Sequence, residues 1–413
     1  MNRRVLLRAG ALSAALALSV TACSDSEPEA ETETDDDAGS EQDETSDESE
    51  DVPEGETIQV GVLTSTSGLL SSYGEQFTEG FEAGMDYATD GTGMAGGHTI
   101  EVSFHDDATD PATATAVATD LIGQGYSIIT GTVSSGVAVQ VAPLAEQNQT
   151  LYISGPAATD EVTGINGYTF RSGRQTWQDV RAAQSFLGDV EGSEVLVFAQ
   201  DYAFGQSNVA AVEAVLGEAG GATVESLLVP LETTDFTPFV RQIVDAEPDM
   251  VFVAWAGETT ANMWQTLAQQ GVFDETQVVT GLADRAGFPL FGDAAEHINF
   301  LSHYFAEASE NEAATALADA VGTPDIFHVD GFAAAQMVVR AVEEAGSDVD
   351  GMVAALEGWT FTSPKGESTV RPEDHALLQP MFQASLATNG DEYQPELVAE
   401  LAPDQVAPPV ANG

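Results

Sequence analysis

The sequence predicts an α/β protein folded as two similar lobes. Three observations carry that expectation. The residues from Thr57 onward, in a chain of 413, exceed what one domain usually holds. Apolar runs of strand length alternate with amphipathic helical stretches, the pattern of parallel sheets with crossover helices. The same rhythm then runs through a second time, with no dominant tandem repeat beneath it.

In the first half, residues 58–63, 100–105, 127–129 and 151–154 read as buried strands. Helical periodicity covers 77–88, 111–122 and 137–146, and the second of these opens on Asp110 before Pro111, a strong helix start. The second half supplies strands at 195–199, 223–229, 250–254 and 278–280, with helices at 208–216, 239–246 and 262–269 between them. Two such lobes in series predict a cleft between them, the usual place for a small ligand.

Ahead of the lobes, Arg3, Arg4 and Arg8 lead into an apolar segment at 9–20, the charge order of an export signal and too short for a stable span. It ends in Val20-Thr21-Ala22-Cys23, which resembles the bacterial lipobox. Residues 1–22 are therefore expected to be removed and Cys23, the only cysteine, to carry lipid, so membrane attachment is by anchor and no disulfide forms within the chain. Residues 23–56 are rich in acids and hold no Lys or Arg, which predicts an extended tether.

The net charge of −57, with Lys365 the sole lysine, excludes nucleic acid as a partner. Acidic headgroups repel such a surface, so the lipid and no basic patch is expected to hold the protein at a membrane. No phosphate-binding loop is present, and GTGMAGG at 91–97 runs into the strand-like HTIEVSF where a dinucleotide fingerprint needs a helix, so it reads as a turn. The six histidines lack metal-ligand spacing, and His105-Asp106-Asp107 reads as a strand end running into a helix cap. With no GxSxG elbow and Cys23 outside the lobes, covalent catalysis has no visible nucleophile. Neither an enzyme nor a cofactor nor a metal is expected.

Segments in order carry a resemblance. GVLTSTSGLLSSYGEQFTEGFEAGMDYAT, GMAGGHTIEVSFHDDATDPATATAVATDLI, YISGPAATD, FRSGRQTWQD, VLVFAQDYAFGQ and PDMVFVAWAG resemble successive signatures of the extracellular leucine/isoleucine/valine-type solute-binding proteins of ABC importers. The resemblance spans nearly all of 57–401. It implies two doubly wound, Rossmann-like lobes joined by three crossover strands, closing on one small molecule by hinge motion. Crossings are expected near 171–176, near 301–305 and after Trp359, with helices 330–345 and 349–356 returning to the first lobe and a last strand at 380–386 in the second. The lobes are then 57–175 with 303–358, and 176–302 with 359–413.

The resemblance also places ligand contacts. In the first lobe these are Tyr73, Ser134, Ser135, Ala157, Ala158 and Thr159, where hydroxyls and helix-start N–H groups suit a carboxylate. Helix capping alone also favours Ser135. In the second lobe they are Phe204, Trp255, Glu258 and Asp284, with Tyr202 as a further candidate; ordinary core packing is the alternative for the two large aromatics. Amino-acid binders of the family hold the ligand ammonium on an acid after the strand near Thr280. Here that position is Ala283, with Asp284 one step on and Arg285 beside it. A cleft-facing Arg174 or Arg285 turns the expectation toward an acid or amide, whereas surface pairing is the alternative for either. The expected function is capture of a branched-chain or related amino acid by a lipid-anchored monomer that delivers it to ABC permease subunits. A ligand sensor, or a binder of amides or organic or aromatic acids, is the alternative.

Overall fold

The computed structural model describes residues 55–188, 190–257, 259–389 and 392–411, so the export signal, Cys23 and nearly all of the acidic segment lie outside the described residues. Strand β1 (Thr57–Thr64) is buried from Ile58 to Thr64 except at the half-buried Gln59, as a strand covered by helices on both faces must be. With β2 (Met94–Ala95), β3 (His98–Asp106), β4 (Ile128–Gly131), β5 (Leu151–Ser154) and β6 (Thr169–Arg171) it forms a six-stranded sheet in the order β2-β3-β1-β4-β5-β6. All pairings are parallel except β2 with β3, a hairpin that occupies the glycine-rich turn.

Helices α1 (Ser71–Ala88), α2 (Pro111–Gln124) and α3 (Ser135–Asn148) alternate with these strands. Asp110 caps α2 by accepting from the Thr113 N–H at 2.8 Å, with Pro111 in the first turn. Such a cap stabilises a helix by about 1 kcal/mol.

The second sheet has the order β16-β15-β11-β10-β9-β7-β8. Its parallel part comprises β7 (Glu194–Gln200), β8 (Thr223–Val229), β9 (Met250–Ala254), β10 (Gln277–Gly281) and β11 (Ile298–Ser302). Helices α4 (Thr176–Leu187), α5 (Ala203–Val212), α6 (Thr237–Ala246), α7 (Thr260–Gln269) and α8 (Val272–Glu275) are interspersed with it. The chain then returns to the first lobe through α9 (Glu312–Val321), α10 (His328–Ala345) and α11 (Val349–Leu356). Helix α10 lies hard against α1: a Cβ on Gly80 would meet the His328 carbonyl oxygen at 2.0 Å, and one on Gly331 the Phe77 carbonyl oxygen at 2.1 Å. Only glycine allows two backbones this close.

A three-stranded sheet of β12 (Thr360–Ser363), β13 (Gly366–Val370) and β14 (Leu377–Leu378) follows. The sequence placed this stretch in the second lobe, yet Phe361, Val370 and Leu377 are buried in the first lobe's core with Phe77, Val338 and Met352. The third crossing therefore falls after Leu378, beyond Trp359. Its polar, alternating residues gave little core signal, because only one face of so small a sheet is buried. Strands β15 (Met381–Asn389) and β16 (Glu392–Leu401) finish the second sheet as an antiparallel pair added to β11. The expected α/β class, with two doubly wound lobes and three crossings, is the observed architecture. Among the described residues no helix is long and apolar enough to cross a membrane.

Candidate functional site

The strand ends of both sheets face a cavity of about 460 Å³ between the lobes. Its lip on the first lobe runs from Gly68 into the first residues of α1, Ser71 and Ser72, and the acids that precede α2 hold the segment just before it. Asp106 accepts from the Thr66 N–H at 2.9 Å, the Ser67 N–H at 3.1 Å and the Ser67 hydroxyl at 2.6 Å, and these bonds, the hydroxyl's first, hold its carboxyl down at about 2. Asp107 takes the Ser65 hydroxyl at 2.6 Å and the Thr109 N–H at 2.8 Å. The His-Asp-Asp run is thus loop architecture.

Tyr73, Ser135, Ala158 and Arg174 line the cavity from the first lobe's side. Tyr73 sits on the first turn of α1, its ring edge-on to Phe327 at 4.6 Å, and burial raises its phenol above the ordinary range. Ser135 opens α3 but does not cap it; its Oγ accepts from the Thr159 N–H at 3.3 Å, and Ser134 occupies the cap position.

Ser134, Ala157 and Thr159 are buried behind the lining. The Thr159 hydroxyl accepts from the Glu161 N–H at 3.3 Å, which caps a short turn, while the carbonyls of Ala157 and Thr159 both accept from Arg171 Nη2, at 2.7 and 3.1 Å. Arg171, which the sequence reading passed over, is wholly buried and shapes the whole Pro156–Asp160 loop; burial lowers its guanidinium to about 10. The only signal for it was a second arginine in RSGR.

From the second lobe come Tyr202, Phe204, Trp255 and Asp284. Trp255 packs on Phe198 at 5.1 Å and Phe236 at 5.3 Å and donates its indole N–H to the Thr259 hydroxyl at 3.0 Å, so core packing and wall coincide in one ring. Phe204 likewise lies against the second-lobe core while facing the cavity. Burial raises the Tyr202 phenol. Ala283 also faces the cavity. Asp284 caps the following turn through the Gly287 N–H at 3.0 Å and receives the Gln76 amide at 3.3 Å. Burial, then the neighbouring Asp325, raise its carboxyl to about 6. Glu258 lies outside the described residues.

The two candidate arginines part company. Arg285 is on the surface against Glu307 at 3.4 Å and is not among the lining residues. Arg174 forms part of the cavity floor: Nη1 donates to the Pro156 carbonyl at 2.9 Å, Nε faces Asp179 at 3.3 Å, and the guanidinium lies over the Phe327 ring at 5.8 Å. His303 completes the floor. Its Nε2 donates to the Ile326 carbonyl at 2.7 Å, and burial followed by the Arg174 charge pushes it well below the ordinary range, so it is neutral.

A cavity at the meeting of two strand-end faces, with donors on one lobe and a carboxylate on the other, is the geometry of solute capture. The family model described as periplasmic binding protein matches residues 57–391. The chain belongs to the periplasmic binding protein family. This binding protein is 25% identical to the Leu/Ile/Val-binding protein homolog 6 of Brucella melitensis over 361 residues, 83% of this chain and 91% of that one. It resembles the crystal structure of an ABC-type branched-chain amino acid transporter from Rhodopseudomonas palustris, with a TM-score of 0.73, 30% identity and coverage of 86% of this chain and 100% of the other. A solute-binding protein of an ABC transporter from the same species, in complex with 3,4-dihydroxybenzoic acid, gives a TM-score of 0.73 at 25% identity, covering 84% and 97%. The molecule is a non-enzymatic, extracytoplasmic binding protein that takes a small solute and works with ABC transporter components.

Proposed function

We propose that the solute is a zwitterionic amino acid with an apolar side chain, branched-chain or related. The observation that supports this most is the polarity of the cavity: Arg174 and the Ser135 hydroxyl lie toward one lobe, and Asp284, buried beside Asp325, lies in the other. A carboxylate bound at the first end meets a guanidinium and a hydroxyl. An ammonium at the second relieves the repulsion between two buried carboxylates. Trp255, Phe204 and Tyr202 then cover the side chain. Because such a ligand touches both lobes, its binding energy favours the closed arrangement.

The remainder of the reading follows from the first 56 residues. The protein is held by lipid on Cys23, with the acidic segment as tether, and as a monomer hands its solute to the permease.

A second reading has a specific observation behind it. Ala283 replaces the expected acid, and Asp284 is already engaged by Gly287 and Gln76. An aromatic or other organic acid needs Arg174 and no ammonium acceptor, and the relative bound to 3,4-dihydroxybenzoic acid lends this weight. Calorimetry with L-leucine, L-phenylalanine and 3,4-dihydroxybenzoate separates the two. Binding of either amino acid that Asp284→Asn weakens at least tenfold upholds the first reading; binding of the benzoate alone, indifferent to that substitution, replaces it with the second.

A further inference from the structure

The only lysine of this strongly acidic chain is buried, which is the reverse of where lysine normally resides. Lys365 stands in the turn between β12 and β13, 3% exposed, its Nζ donating to Gln379 Oε1 at 2.7 Å. Gln379 lies on the third crossing and passes the contact to Gln178 of α4 at 3.4 Å. Beside them Asp330 of α10 is 0% exposed, and neither of its carboxylate oxygens has a hydrogen-bond partner. It lies under the first crossing, where a Cβ on Gly173 would come within 3.0 Å of Oδ2, and 4.0 Å from His303 Nε2 on the second.

Each crossing thus contributes to one buried cluster under the cavity floor. The charged groups facing Asp330 are Lys365, Arg174, Arg171 and Asp179, with His303 neutral above it. Those facing Lys365 are Asp330, Arg174 and Asp179. Arg171 is offset by Asp160, its leading charge partner, so within the cluster Arg174 and Lys365 balance Asp179 and Asp330, and no bulk water screens the four. Burial pushes Lys365 down and Asp330 up, each opposed by the other's charge.

We propose that Lys365 and Asp330 are positioning residues for Arg174, keeping its guanidinium at the cavity floor by charge balance while touching no solute themselves. The role rests on the reading of Arg174 as the anchor of a solute carboxylate. Removing Lys365 alone leaves two carboxylates to compete for one guanidinium and draws Arg174 down from the cavity. Removing Asp330 alone leaves two cations sharing Asp179, which loosens the Arg174–Asp179 contact. Removing both restores neutrality.

Because the chain has one lysine, carbon-13 lysine labelling of the full-length protein gives a single side-chain Cε signal to follow with pH. We expect it to titrate well below the ordinary lysine range, and Asp330→Asn to move its midpoint lower still. A midpoint near 10, or one that Asp330→Asn leaves in place, overturns the proposal whatever the ligand is. In the binding arm, L-leucine and 3,4-dihydroxybenzoate are the probes. For whichever binds, Lys365→Met and Asp330→Asn each weaken binding on the order of tenfold, and the double variant recovers to within about threefold of the parent. Additive losses in the double variant mark a purely structural role and sink the idea. If neither probe binds the parent protein, the amino-acid and benzoate readings fail, and the lysine titration still decides this one.

Discussion

Gln76 on the first lobe donates its side-chain amide to Asp284 Oδ2 on the second at 3.3 Å, while its own Oε1 accepts from the Phe327 N–H at 3.2 Å. One neutral side chain therefore bridges the lobes at an acid whose carboxyl is raised to about 6 by burial and by Asp325. A carboxyl raised in the folded state contributes stability that is present below the unfolded value near 4 and lost as pH rises through about 6. Asp284→Asn keeps the cap acceptor for the Gly287 N–H and cannot ionise, but it sets an NH2 group against the Gln76 amide and gives up that bridge. The bridge costs the variant the same at every pH, so in thermal melts the variant's stability relative to the parent is expected to improve by about 1–3 kcal/mol between pH 4 and pH 7.5. A difference that stays constant across this range would show that Asp284 ionises freely. For an ammonium-bearing solute, affinity should rise with pH through the same window, because the ionised acid is the better acceptor.

Across the cavity mouth, Gly257 takes φ +85° and leaves room for Leu69: an added Cβ would stand 2.8 Å from Leu69 Cδ1. Gly257→Ala pushes on the opposing lip and strains the backbone, at a cost of about 1–2 kcal/mol for a left-handed non-glycine residue. Solute affinity should fall, and small-angle scattering of the liganded protein should give a larger radius of gyration than the parent's. An unchanged radius with unchanged affinity would mean that Leu69 swings aside freely.

Thr159 and Ser135 are both among the hydroxyls that the resemblance assigns to the solute's carboxylate, and their placements separate them. Thr159→Val removes a hydroxyl that serves the Glu161 N–H behind the lining. It should lower stability by about 1 kcal/mol and affinity little. Ser135→Ala removes a hydroxyl at the cavity wall and should weaken carboxylate binding by about 1–3 kcal/mol. Calorimetry beside melting curves checks both, and the reverse order of effects would place the carboxylate deeper, at the Thr159 turn.

The central parallel strands were legible because burial on both faces writes itself as an unbroken apolar run: strands 250–254 and 151–154 coincide with β9 and β5, which are buried throughout. Half-buried strands gave a weaker signal: 223–229 coincides with the edge strand β8, mostly exposed or half-buried, but others escaped. The small sheet TFTSPKGESTV and the edge strand β16, with its mostly exposed residues, lack such runs, and α4 carries Gln178 and Asp179, with Gln175 at its cap, in buried positions that periodicity assigns to solvent. At the site, most of the residues drawn from the resemblance lie on the cavity wall or directly behind it, though they make up only part of that wall. The support beneath the floor was missed because it consists of buried charges, Asp179, Asp330 and Lys365, whose neighbours come from distant segments and whose burial reverses the ordinary reading of charge.

Net charge supplies the last prediction. At −57, and with its one lysine buried, the protein carries an acidic surface with few cations to offset it. Self-repulsion of that size destabilises a compact state and is relieved by mobile ions. Screening is governed by ionic strength: the Debye length falls from about 10 Å at 0.1 M to about 3 Å at 1 M, so most of the gain should come below molar salt. Melting followed in sodium chloride and choline chloride is expected to rise alike in both and then level off. A midpoint that stays flat would show that the acids are already balanced by local partners. One that rises in the sodium salt only would mean that specific cation binding, and no general screening, stabilises the fold.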